Sequence, residues 1–512
     1  LLIMSLISTL GMAQQIDKNI LFEEFNSPPN RAKPRVWWHW MNGNITKAGI
    51  KKDLEWMEDT GIGGFQNFDA NLLTPVVVSN KLVFMTPGWK EAFKYTTDLA
   101  IEKKLEMAIA GSPGWSVTGG PWVEPKDGMK KYVWSELTVK GGQTYRGRIP
   151  EPPQTTGVFQ NDMAPREDIG GNTLEALPKY YQDVAVIAYR IPDSEKTLDG
   201  LKPKVSSSGG DFNLTDLTDG DLRTGTYLPP EEVGEDMWIQ YEFETPQTFQ
   251  SLAVVGANHN QLEQFRGSPE NRSLKISNDG INFSEITRIH GSLVPQTTVS
   301  FPPTTAKYFR FAYETLAGQV TGLAAMMGGA AEVPKPDGVQ VAEFILYNTP
   351  RIDKIEDKAG FSPWKEGTTS FMPKDSGVIA TEDIIDLTSK MKTDGSLEWK
   401  VPNGNWSIIR FGYSLTGRQN HPASPEATGL EVDKLDPMAV KRYINTYLDM
   451  YRDATDRQMG DKGLGYMILD SYEAGHMNWT KNLPEEFQKK RGYSIQTWIP
   501  ALTGRIVKSA VA

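Results

Sequence analysis

VWWHWMNGNITKAGIKKDLEWMEDTGIGGFQNFD, residues 36–69, decides how the first part of this chain folds. Val36 to Trp40 is a run of large apolar and aromatic residues with the composition of a strand. Thr46 stands where an N-cap is wanted, and a helical pattern continues from it to about Thr60. Gly61 ends that helix, and 61–68 reads as a second strand. A second helix over Pro87 to Lys104 and a third strand over 105–110 follow. Strand, helix, strand, helix, strand is the opening of a parallel sheet or barrel.

In such a fold the carboxyl ends of the strands carry the site. Here those ends present His39, Trp40 and Asn42, then Gln66, Asn67 and Asp69, then Trp115 and Ser116. Taken singly, a histidine or tryptophan is more often a packing residue. Three successive strand ends of this kind make a pattern. A further short apolar run, Tyr466 to Leu469, breaks into DSYEAGHMNW at 470–479, with two carboxylates, a histidine and two aromatics. Sugar hydrolysis needs a proton donor and flat apolar rings for a pyranose, and Glu473 is the candidate donor. Asp470 shares a face with Ile468 and Tyr466 by strand alternation and can point into the same mouth. Tyr472, Met477 and Trp479 are expected to desolvate Glu473. The chain holds 14 tryptophans, eight of them before residue 135, which adds to the case for a stacking site.

The middle, 136–405, is rich in Pro, Gly, Ser and Thr with short alternating runs, the texture of a β-sandwich. Within 205–348 the loop TDGD (218–221), the strand WIQYEF (238–243), the hairpin SNDG (277–280) and the strand KYFRF (307–311) resemble the discoidin type of galactose-binding-like module. Gly318 to Pro334 interrupts it as an excursion. The α/β pattern then returns, with strands expected near 407 and 466 and helices over 437–458 and 484–491.

The formal net charge is -10, from 54 basic and 64 acidic residues without long blocks, which argues against nucleic acid as a partner. Residues 1–13 end in small residues after an apolar stretch and read as a secretory leader, although the basic start of such a leader is missing. No other run approaches the ~20 apolar residues of a membrane span. Cysteine is absent, which excludes disulfides and a cysteine-linked lipid anchor. A bacterial periplasmic or extracellular protein is expected.

VWWHWMNGNIT (36–46), GIGGFQNFD (61–69), AGSPGWSVTGGPWV (110–123), TGLEVDKLDP (428–437) and MILDSYEAGHMNWT (467–480) together resemble glycoside hydrolase family 106, secreted bacterial α-L-rhamnosidases. The resemblance implies a (β/α)8 barrel with attached β-sandwiches, inversion at the anomeric carbon, a plant oligo- or polysaccharide substrate and a calcium ion. It implies Glu473 as the acid. Glu431 and Asp433 become candidates for calcium or for hydroxyl recognition, since calcium takes several oxygen ligands. His39, Trp40, Asn42, Gln66, Asp69, Trp115 and Asp470 are the candidates for substrate contact.

The expected architecture is α/β plus β: a (β/α)8-type (TIM) barrel, incomplete in this chain, with an inserted β-sandwich that includes the galactose-binding-like module. Its parts are a leader (1–13), a first barrel part (14–135), a β-rich insertion (136–204), the module (205–348), more insertion (349–405) and a barrel continuation (406–512). Only about five barrel strands are countable against the eight a barrel needs. A fragment lacking the catalytic base is therefore expected, inactive by itself. Two other classes compete: a non-catalytic carbohydrate-binding or adhesion protein, and a retaining glycosidase whose carboxylates stand roughly 5–5.5 Å apart.

Overall fold

The computed structural model describes residues 18–72, 74–164, 176–256, 271–317, 337–363, 371–373, 377–470 and 472–511. The leader and the 318–334 excursion lie outside the described residues. The chain divides into two compact units: Leu1–Pro121 with Asn420–Thr428 and Ile444–Glu473, and Trp122–Gln419 with Gly429–Tyr443 and Ala474–Ala512.

The first unit is built on four parallel strands. β1 (Arg35–Met41) pairs β2 (Gly64–Ala70), β2 pairs β3 (Glu106–Ala110), and β3 pairs the strand Leu464–Ile468. A short helix, α1 (Lys18–Asn26), precedes β1; α2 (Lys47–Asp59) and α3 (Pro87–Glu102) make the crossovers. Thr46 caps α2 by accepting the Gly49 N–H at 3.0 Å, and Gly61, at φ +78°, provides the left-handed exit. Ile50, Leu54 and Met57 recur at helical spacing and bury α2 on the sheet.

The strand period of two decides what each side chain does. Trp38 and Trp40 turn to the helices: Trp40 packs against Trp89 at 5.5 Å and Phe93 at 5.8 Å. Trp37 and His39 turn the other way, with Phe68 of β2. Trp89 stacks on Phe93 at 4.9 Å, and Tyr451 closes this aromatic core.

The second unit is mostly sheet. Its seven-stranded sheet runs Ser284–Ile289, Arg272–Ser277, Gln296–Glu314, Asp236–Gly256, Val339–Tyr347, Thr226–Leu228, with Lys204–Ser207 also on Asp236–Gly256. All four discoidin-like motifs attach to it, and Ile239, Tyr241, Phe243, Phe309, Phe311 and Phe344 fill its core. Asp279 shapes the SNDG turn by accepting the N–H groups of Ile281 and Asn282 at 2.9 and 2.8 Å.

A four-stranded sheet, Ile384–Asp386, Tyr181–Arg190, Asn405–Leu415 and Lys130–Lys140, corrects the expected plan. The strand near 407 does not return to the parallel sheet. It pairs antiparallel with Lys130–Lys140 and Tyr181–Arg190 on its two sides. The boundaries at 135 and 406 therefore cut through one sheet. The cause is burial: residues 406–415 are buried without interruption, so the apolar–polar alternation that marks an antiparallel strand with one wet face is missing. Leu464–Ile468 is accordingly the fourth parallel strand, not the fifth.

Candidate active site

At the carboxyl ends of the parallel strands lies a cleft of about 160 Å³ lined by Trp37, Phe68, Ala110, Gly111, Trp115, Ser116, Ile468, Asp470 and Glu473. Its aromatic side follows from the alternation of β1 and β2. Trp37 is 59% exposed, unusual for so large a ring, and leans on Phe68 with 5.3 Å between centroids. His39 stacks on Phe68 at 4.9 Å. The Trp115 indole N–H donates to His39 Nε2 at 3.0 Å. An indole nitrogen is a donor only, so Nε2 is the acceptor and the imidazole proton sits on Nδ1. Partial burial, which holds His39 below the ordinary histidine range, works in the same direction.

Asp470 and Glu473 supply the acidic side. The Glu473 side chain is 45% exposed, so the expected desolvated donor is not what the fold provides. Trp479 is committed elsewhere, buried against Phe411 and Tyr132 in the second unit, and Tyr472 is 60% exposed. The neighbour of Glu473 that the sequence did not announce is His421, whose Nε2 stands 3.8 Å from Glu473 Oε2. The segment 420–428 is sewn to the loops after β2 and β3. Trp115 N–H donates to His421 O at 2.9 Å, Asn71 N–H to Pro422 O at 3.1 Å, and Asn420 Nδ2 to Pro113 O at 2.9 Å. Gly114 makes this approach possible: at φ +83°, a Cβ there would meet the His421 carbonyl at 2.6 Å.

The other candidates separate. Trp40, 3% exposed, and Asp69, 6% exposed, lie on the helix side of the sheet, and neither lines the cleft. Asp69 accepts the Trp89 indole N–H at 2.8 Å. Burial pushes its carboxyl up to about 7, against the Trp89 bond and Lys81, with Glu426 adding to the rise. Asn42, at φ +48°, is a turn residue whose Nδ2 donates to Thr74 O at 2.7 Å. Gln66 pairs with Trp37 in register and shares the face of the aromatic group.

Glu431 and Asp433 belong to the second unit and are fully buried. Each already holds an ammonium: Lys434 Nζ is 2.6 Å from Glu431, and Lys130 Nζ is 3.1 Å from Asp433. Asp433 also accepts Thr480 Oγ1–H at 2.7 Å and Leu435 N–H at 3.0 Å. Each carboxylate has a lysine ammonium beside it, and among the described residues no group of three or more histidine, aspartate or glutamate side chains could hold a metal ion, a poor setting for a divalent cation that takes several oxygens. The residues present at this position do not fit calcium.

Carboxylates beside aromatic rings, at the carboxyl edge of parallel strands, define a carbohydrate-processing type of site. The chain belongs to glycoside hydrolase family 106, alpha-L-rhamnosidase, whose family model matches residues 26–512. Among solved structures it is similar to a rhamnosidase from Novosphingobium sp. PP1Y, with 40% identity and a TM-score of 0.82 over 96% of this chain and 43% of that one. Among curated proteins it is 25% identical over 507 residues to a protein of Formosa agariphila provisionally named a beta-glucuronidase, covering 98% of this chain and 28% of that protein. The chain thus spans less than half the length of either relative.

Proposed function

We propose that this chain carries the acid half of the active site of an inverting α-L-rhamnosidase that removes terminal rhamnose from plant oligo- or polysaccharides. The observation that carries this reading is the placement of Glu473 and Asp470 in one cleft with Trp37, Phe68 and Trp115. Glu473 protonates the glycosidic oxygen as the bond to the anomeric carbon breaks. The rings receive the apolar face of the sugar and its C6 methyl group. Asp470 receives a hydroxyl. Inversion also needs a second carboxylate, roughly 6.5–9.5 Å away, to activate water from the opposite side.

The name of the Formosa relative raises a second substrate, a glucuronide. The cleft weighs against it. Among the described residues lining it none is lysine or arginine, while Asp470 and Glu473 carry carboxyl groups, so a uronate would find no fixed cationic side chain there. A 6-deoxyhexose has no such charge.

The finer architecture belongs to the same proposal. The four parallel strands are part of a (β/α)8 barrel, and the seven-stranded sheet belongs to a galactose-binding-like module. Export to the periplasm or beyond accords with the absence of cysteine and the leader-like start. Among the described residues no helix is long and apolar enough to cross a membrane. A calcium ion enters this reading through the family resemblance alone, with ligands other than Glu431 and Asp433. The test is hydrolysis by the full-length protein of an aryl α-L-rhamnoside against an aryl β-glucuronide. Cleavage of the first alone is expected, and cleavage of the second alone would refute the proposal.

A further inference from the structure

We propose that His421 is the positioning and proton-returning partner of Glu473, an inference that rests on Glu473 being the acid. Three features of the fold lead to it. The imidazole faces the carboxylate, with Nε2 3.8 Å from Oε2. That gap is closed by rotation of the exposed Glu473 side chain or by one bridging water, and catalytic contacts are commonly looser before substrate arrives.

The histidine is also held from behind. Its backbone N–H donates to Ser116 Oγ at 3.0 Å, its carbonyl accepts from Trp115 N–H at 2.9 Å, and its Nδ1 stands 3.5 Å from the same Ser116 hydroxyl. The loop that sets the Trp115 ring therefore also sets the imidazole. Finally, the side chain is 33% exposed, enough to exchange protons with water while still facing Glu473. The acidic groups lining the cleft beside it are Glu473 and Asp470, and Trp115 directs its own donor to His39.

The proton path balances. Glu473 gives its proton to the departing oxygen as the glycosidic bond breaks, leaving as an alcohol, and becomes a carboxylate. A proton from solvent returns to Glu473 by way of His421 Nε2, which gives up one proton and takes up another. The proton lost by the attacking water leaves through the base on the other side. With an activated leaving group the departing oxygen needs no proton, so neither Glu473 protonation nor His421 limits turnover.

The experiment compares turnover of a methyl and a dinitrophenyl α-L-rhamnoside by the full-length protein and its His421→Ala, His421→Gln and Glu473→Gln variants. For both His421 variants a loss of about tenfold or more is expected on the methyl glycoside, smaller than the ~10²–10⁴-fold of a general acid itself because His421 acts through Glu473. Less than about twofold is expected on the dinitrophenyl glycoside, with exogenous imidazole restoring part of the His421→Ala loss. An equal loss on both substrates in both His421 variants overturns the proposal, because a purely structural histidine would act that way; unchanged turnover of the methyl glycoside also overturns it. Glu473→Gln reports separately. If it fails to discriminate between the two leaving groups, the acid assignment falls first, and the role of His421 with it.

Discussion

Trp115 donates its indole N–H to Nε2 of His39 over 3.0 Å, so a residue of the β3 loop fixes the protonation of a residue on β1. Trp115→Phe keeps the ring and removes the donor. Loss of that bond is expected to cost about 1 kcal/mol of stability. It should also turn the single Nδ1–H tautomer of His39 into a mixture, visible in nitrogen NMR of the imidazole. An unchanged tautomer pattern in Trp115→Phe would contradict the arrangement.

Trp37 stands 59% exposed at the cleft with Phe68 behind it. Its replacement by alanine is expected to raise KM for an aryl rhamnoside several-fold, the equivalent of roughly 1 kcal/mol of lost ring contact. Melting temperature should change little. A fall in melting temperature with KM unaltered would make Trp37 a packing residue.

Asp69 is a buried carboxyl raised to about 7. Its folded value lies above its unfolded value near 3.8, so the folded state binds the proton more tightly. Stability is fullest below pH ~4 for this group and declines as pH rises from about 4 to about 7. At about 1.36 kcal/mol per pH unit the decline amounts to at most about 4 kcal/mol, the upper bound for one group. Asp69→Asn keeps an acceptor for Trp89 and cannot ionise. It should gain stability over the wild type at pH 8 and not at pH 4; an equal difference at both, measured by denaturant melts, would refute the assignment.

Asp433 and Lys130 are both buried, and removing one charge strands the other. Asp433→Asn is expected to destabilise the fold by roughly 3–5 kcal/mol. Added calcium should restore none of it. A melting temperature that rises with calcium in the wild type and not in Asp433→Asn would show that Asp433 is a ligand after all.

The opening of the parallel sheet was legible because its punctuation is local: Thr46, Gly61 and Pro87 mark helix ends in the chain itself. The faces were legible too, by a period of two that the grouping of His39 with Trp40 overlooked. Adjacent strand residues point to opposite sides, and so do Gln66 and Asp69, three apart. The strand at 405–415 was misplaced because double-sided burial hides direction. His421 could not be found, since nothing local in residues 418–422 brings it to Ser116 or Glu473; the contact with Ser116 joins loops 305 residues apart.

On the proposed function, Glu473 delivers the proton to the departing oxygen. The most direct measurement of that step is the turnover of an unactivated α-L-rhamnoside by the full-length Glu473→Gln protein. A loss of about 10² or more is expected, the range for removal of a general acid, with the fold intact by circular dichroism. Turnover equal to that of the wild type would contradict the account.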